Sequence, residues 1–250
     1  MTDSIEGYRK VIKADLWEEW DSLEKDQEKK IPPPPVQKPY PEEAALIDLV
    51  PPEDITVGGI PLIDAIKRRR SHRQFKQDAL TLEELSFLLW ATQGVSRVIH
   101  AGQTVLRTVP SGGARHPFET YLLINRVDGL DPGLYRYLSM EHKLYLLSAE
   151  QGLKERVHEA TNDQYVLGSA VVFIWTVIPY RSEWRYSLLA HKMVAQDSGH
   201  VCQNLYLACE SIGAGTCALG AYNQAKMDAV LGVDGDDEFT FYVAPVGRVR

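Results

Sequence analysis

Residues 170–212 read AVVFIWTVIPYRSEWRYSLLAHKMVAQDSGHVCQNLYLACESI, and the two elements they encode decide the fold. Ala170 to Ile178 is an apolar run broken only by Thr176 and Pro-free until Pro179. That length and composition suit a strand buried on both faces. It is far too short to cross a bilayer. Leu188 to Ile212 carries few polar interruptions and predicts a long, central helix. Working outward, Phe118 to Val127 is β-rich, and Leu134 to Leu138 with Lys143 to Leu147 forms a hairpin around Ser139–His142. Residues 150–161 read as a surface helix, and Glu238 to Val246 as a closing strand. Thr81-Leu-Glu-Glu84 is a capping box that opens a helix through Leu85, Leu88, Leu89 and Trp90 to Gly94. Strands and helices mix without regular βαβ alternation, so the expected class is α+β.

The chain has 250 residues and a formal net charge of −7, with 44% hydrophobic and 24% charged residues. That balance belongs to a globular protein and speaks against a nucleic-acid binder. Cys202, Cys209 and Cys217 show no CxxC spacing, which excludes the usual zinc and iron–sulfur ligand sets and disulfide scaffolding. Met1–Glu6 has neither the basic nor the apolar part of a secretory signal. The expectation is a cytoplasmic protein without a membrane segment.

Residues 1–30 place Ile5, Tyr8, Ile12, Leu16, Trp17, Trp20 and Leu23 at roughly helical spacing and predict one amphipathic helix. Ile31-Pro-Pro-Pro-Pro-Val36, Pro39 and Pro41 then force extended geometry. Residues 1–59 are therefore read as a helix and proline-rich arm, lying over the body or a second subunit, with a proline-rich ligand as the alternative. The compact domain, 60–250, begins near Gly58-Gly59, with Pro61 at a helix N1 position.

Arg69-Arg70-Ser71-His72-Arg73 sits where that short helix runs out. Three guanidiniums and a hydroxyl suit a phosphate, because Arg forks match phosphate oxygens in pairs. The plain alternative is a solvated helix end, where cations complement the macrodipole. Ser111-Gly-Gly-Ala114, before His116-Pro117, lets backbone amides approach a flat or anionic ligand, or is an ordinary turn. Gly213 to Gly220 is dense in small residues after the long helix, and Gly213 itself suits a helix C-terminus. No GxGxxG, Walker loop, HExxH or GxSxG occurs.

The order and spacing of these segments resemble the nitroreductase-like FMN-dependent flavoprotein superfamily, closest to its azoline dehydrogenase branch, the thiazole/oxazole-forming oxidases. The likeness covers about 60–250. It implies a three-layer α+β fold: a central mixed or antiparallel sheet flanked by helices, a long central helix, and an intertwined homodimer with FMN at the interface. Arg69, Ser71 and Arg73 match the family's Arg-x-Ser-x-Arg/Lys motif for the FMN phosphate and ribityl chain. Pro110, Ser111, Gly112, Gly113 and Arg115 match its second flavin loop, with Arg115 a candidate for the ring's N1–C2 edge. Asp197 to Asn204 resembles the core helix at which subunits pair. Leu219 and Gly220 fall where a backbone N–H meets flavin N5, and Arg248 where a basic residue points to the phosphate. The implied chemistry is ping-pong hydride transfer, with NAD(P)H as a transient donor and a small-molecule or peptide substrate.

One departure stands out. Azoline dehydrogenases carry a Lys-Tyr dipeptide before the core helix, and this chain has Arg185-Tyr186. Tyr186 can act as acid or base, whereas a guanidinium stays protonated. Arg185 instead suits clamping a carboxylate or stabilising an anion. The aromatic and histidine residues of Tyr180–Tyr186 and His191 are expected to line the substrate side, with the alternative that Trp184 and Tyr186 only pack the dimer. His100 is expected in a loop over the flavin, His116 to order its own loop, and Cys202 and Cys209 to act as packed small hydrophobes. The function expected is thus an FMN-dependent oxidoreductase of unknown substrate. The alternatives are an azoline-type dehydrogenase, or a non-catalytic binding protein that keeps the fold.

Overall fold

The structure, a computed structural model, describes residues 4–99 and 102–249; His100 lies outside them. Seven strands form one antiparallel sheet in the order β1-β6-β5-β4-β7-β9-β8. These are β1 (Leu46–Asp48), β4 (Phe118–Ile124), β5 (Gly133–Leu138), β6 (Lys143–Ser148), β7 (Val171–Val177), β8 (Ala214–Thr216) and β9 (Phe239–Arg248). A separate hairpin, β2 (Val95–Ile99) with β3 (Thr104–Arg107), was not legible in the sequence.

Every residue of β7 is buried, because the sheet is covered on both faces. Alternation splits it in two. Val171, Phe173, Trp175 and Val177 join the core beneath α3 (Leu82–Gln93) and α6 (Ala190–Ser211), while Val172 and Ile174 join the core beneath α4 (Leu153–Ala160) and α7 (Gln224–Leu231). β4 divides likewise, with Phe118, Leu122 and Ile124 on one face and Tyr121 and Leu123 on the other. Three layers result, with the long helix α6 central, as the sequence predicts. The capping box also forms: Thr81 Oγ1 accepts from Glu84 N–H, and a Glu84 oxygen accepts from Thr81 N–H.

The N-terminal segment departs from its expectation. The single helix over 1–30 is instead α1 (Ile5–Ile12) followed by a 3₁₀ turn at Asp15–Glu19. The break lets Leu16, Trp20 and Leu23 turn inward onto Tyr186, Leu189 and Ala190, while Ile5, Tyr8 and Ile12 stay exposed. Tertiary packing has overridden local periodicity. The proline arm runs over its own chain: Arg107 donates to Val36 O, Arg136 to Lys38 O and Pro39 O, and Lys38 N–H to Glu119. Its end pairs with β6 as the edge strand β1, so the arm extends the sheet.

Candidate functional site

Helix α2 (Leu62–Arg68) ends at Arg69, and the chain then runs extended beside β8. Ser71 bridges Thr216, and His72 N–H donates to Thr216 O at 2.9 Å. This approach needs Gly215, since a Cβ there would strike His72 and Val249. Tyr206 of α6 ties the pieces together. Its hydroxyl accepts from Ala218 N–H at 2.9 Å and lies 3.2 Å from Ser71 Oγ, and the Arg69 guanidinium sits 5.5 Å from its ring centre. The arginine motif and the small-residue loop therefore meet on one tyrosine.

The cluster sorts by side. Arg70 N–H and His72 Nε2 both reach Glu210, and Arg70 Nη1 folds back on the helix-end carbonyls of Lys67 and Arg69. Arg70 thus takes the helix-end role, while Arg69 makes no ion pair among the described residues. Arg73 goes elsewhere: its guanidinium lies 5.9 Å from the Tyr165 ring, beside a hollow of about 440 Å³.

Two assignments need correction. Leu219 is buried, and its N–H is donated to Val243 O at 2.7 Å. That amide is consumed by the sheet, so Leu219 cannot offer it to a ligand. Gly220 is exposed, with open space where a Cβ would be. Arg248 was expected to point at a phosphate. Its Nη2 instead grips both Glu84 oxygens at 2.6 and 2.7 Å, and its Nη1 caps Ile212 O. A carboxylate already bound to the α3 cap holds those donors.

The second loop is anchored differently. Asp197 of α6 accepts from Ser111 Oγ at 2.6 Å and from Gly112 N–H, and Ser111 Oγ accepts from His116 N–H. Ala114 N–H and Arg115 N–H close turns onto Ser111 O and Gly112 O. Pro110, Ser111 and Gly112 border a shallow hollow with Asp197. Gly113 holds φ +58°, the left-handed region that favours glycine, and the Tyr186 hydroxyl presses where its Cβ would be. The loop amides are thus mostly spent on the loop itself. Burial raises the Asp197 carboxyl against the lowering effect of Ser111 and Gly112.

Arg115 is buried, donates Nε–H to Arg181 O at 2.9 Å and lies 4.8 Å from the Trp184 ring centre. Burial, then the positive charges of Arg185 and Arg181, hold its guanidinium below the ordinary value. Arg181 pairs with buried Glu119. Beside them His116 is buried among Arg107, Arg115 and Arg181; burial foremost, then Arg107, drives it down to about 3. His116 is therefore neutral, in keeping with a loop-ordering role. Tyr186 is buried beneath Trp17 and Trp20, at ring separations of 6.3 and 6.0 Å. Trp184 Nε1 donates to Ile31 O, Tyr180 to Asp26, and Glu183 meets His191. These aromatic residues serve largely to hold the arm.

Sequence reasoning missed Tyr206 altogether, since one tyrosine in a long helix carries no signal. Asp197 had one: a carboxylate on a helix expected to be central needs a donor partner.

A three-layer antiparallel α+β fold with arginine and glycine segments gathered about one central helix defines the class, and a family model confirms it: residues 66–248 match the Nitroreductase family. The chain belongs to that family, and an oxidoreductase-type function comes with membership. A protein of Methanocaldococcus jannaschii that bears the name of a nitroreductase is 31% identical over 189 residues, 76% of this chain and 91% of that one. A crystal structure from Ralstonia eutropha JMP134, likewise named for a nitroreductase, superposes with a TM-score of 0.67 at 28% identity, covering 88% of this chain and 99% of that one. The trifolitoxin-processing protein TfxB of Rhizobium leguminosarum bv. trifolii is 28% identical over 141 residues, 53% of this chain but only 37% of its own length. Among the described residues no helix is long and apolar enough to cross a membrane.

Proposed function

We propose that this chain is an FMN-dependent oxidoreductase that acts as a homodimer. The observation that carries the reading is the junction at Tyr206, where Arg69, Ser71 and the Ala218–Gly220 loop converge. The donor set fits a phosphorylated cofactor. Arg69 is a cation without an acid partner among the described residues, Ser71 adds a hydroxyl, and Arg73 is a second cation on the same extended segment, set apart from the junction over Tyr165. Gly220 keeps the exposed backbone that Leu219 lacks. The chemistry FMN supplies when bound is hydride transfer at flavin N5, in alternating half-reactions with a donor such as NAD(P)H and an acceptor.

The second loop supports a shared site. Its anchor, Asp197, and the first motif's anchor, Tyr206, are nine residues apart on α6. That spacing is about 13 Å along the axis and about two and a half turns around it, so the two anchors lie on opposite faces. One chain thus presents two half-sites, and pairing two copies lets the 110–115 loop of one face the cofactor held by the other. Exposed Leu62, Ile63 and Ile66 of α2, next to Arg69, offer an apolar surface for that pairing.

Purified protein incubated with FMN should turn yellow at one flavin per chain, sediment as a dimer, and bleach anaerobically with NADH or NADPH. A colourless protein that takes up no FMN would favour a non-catalytic binding role and overturn the reading. Monomeric protein that binds FMN fully would refute the shared site.

The likeness to TfxB favours a second, narrower reading: a dehydrogenase that modifies peptides. Permanently cationic Arg185 would then leave Tyr186 as the proton-transfer group of the dipeptide. Loss of two hydrogens from an azoline-containing peptide, followed by mass spectrometry, separates this activity from simple reduction.

A further inference from the structure

A second hollow of about 440 Å³ lies where the N-terminal arm crosses the 113–115 loop and α5 (Tyr180–Tyr186). Gln27 and Pro33 of the arm form its roof, Ile99 and Trp184 are apolar walls, and Arg115 and Arg185 face it. The roof precedes residue 66, where the family match begins.

The charge here is uncompensated. Arg181 has Glu119, but among the described residues neither Arg115 nor Arg185 makes an ion pair. Arg115 spends only its Nε–H, on Arg181 O, and Arg185 contacts the Tyr186 ring at 5.5 Å. The two guanidiniums repel each other across a partly apolar hollow, and an anion between them relieves that repulsion.

The donor count decides which anion. A phosphate has many acceptor oxygens and is normally wrapped by backbone amides as well as cations. Here the N–H groups of Gly112, Ala114, Arg115 and His116 are consumed within the loop or by Asp197, which leaves Gly113 as the one residue of 112–116 whose N–H has no partner among the described residues, too few amides to wrap a phosphate. A carboxylate has about four lone-pair sites, which two Arg forks can fill. We propose that this hollow is a carboxylate subsite, in which Arg115 and Arg185 clamp a small organic acid whose body lies against Trp184, Pro33 and Ile99. The proposal names a substrate class for the redox site and rests on that reading for its catalytic meaning, while the binding can be measured without flavin.

The test uses the full chain without added cofactor and follows Trp fluorescence and calorimetry with benzoate, neutral benzamide and phenyl phosphate. Benzoate is expected to bind, benzamide to bind at least roughly tenfold more weakly, and Arg185→Gln to weaken benzoate by roughly tenfold while leaving benzamide unchanged, the loss expected for a charge-assisted fork. Arg185→Lys should restore part of the affinity. Arg185 is only half-buried, so its variants should fold, and a thermal melt checks this. Equal binding of benzoate and benzamide, no benzoate binding at millimolar concentration, tighter binding of phenyl phosphate, or indifference to Arg185→Gln would each overturn the proposal. FMN uptake measured on the same samples separates the two readings: protein that binds benzoate but never flavin keeps the subsite and loses the redox assignment.

Discussion

Replacing Arg69 with alanine isolates the phosphate contact. The guanidinium makes no ion pair among the described residues, and it lies over the face of Tyr206 at 5.5 Å. Losing an exposed cation–π contact costs about 0.5–1 kcal/mol, so the fold should survive. A charge-assisted hydrogen bond to phosphate is worth about 1.5–3 kcal/mol. Its loss should raise the Kd for FMN by roughly 10- to 150-fold, at about 1.4 kcal/mol per decade. Riboflavin, which carries the same ring without the phosphate, supplies the control. Titration of flavin fluorescence with flavin-free protein should show FMN weakened and riboflavin unchanged in Arg69→Ala. If riboflavin suffers equally, or FMN affinity stays as it was, Arg69 is not a phosphate ligand. Arg73→Ala should have a smaller effect, because Arg73 lies over Tyr165, apart from the Tyr206 junction.

Tyr206→Phe removes the hydroxyl that accepts from Ala218 N–H and meets Ser71 Oγ. Denaturant unfolding should show a loss of about 1–3 kcal/mol, accompanied by weaker FMN binding. Gly113→Ala forces a left-handed alanine against the Tyr186 hydroxyl and should cost about 1–2 kcal/mol or more. Combining it with Tyr186→Phe should recover part of that loss, and strict additivity would show that the two residues do not touch. His116 titrates near 6.5 when unfolded but only at about 3 when folded. The unfolded chain therefore takes up a proton first as pH falls, and stability present above pH 6.5 is lost between there and about 3. A shift of this size is worth up to about 5 kcal/mol, so His116→Gln should flatten the acid limb of a stability–pH curve.

The sequence by itself determined the main core elements and the family, though not the β2–β3 hairpin or the break in the N-terminal helix. The apolar run at 170–178, the long helix and the Thr81 capping box are local signals: alternation, 3.6-residue periodicity and a cap read directly from neighbouring residues. The motif segments were legible for the same reason, since Arg69-x-Ser71-x-Arg73 and the glycine runs are contiguous. Partner choice was decided only by tertiary structure, because a donor goes to whichever acceptor the fold brings nearest. Glu84 caps α3 and so captures Arg248, Val243 of the neighbouring strand captures the Leu219 amide, and Trp17 and Trp20 break their own helix to cover Tyr186. Tyr206, invisible as one tyrosine among apolar neighbours, became the junction because α6 passes beneath two segments distant in sequence. Residue type fixed which groups could bind an anion, and the three-dimensional arrangement settled which of them were still unpaired.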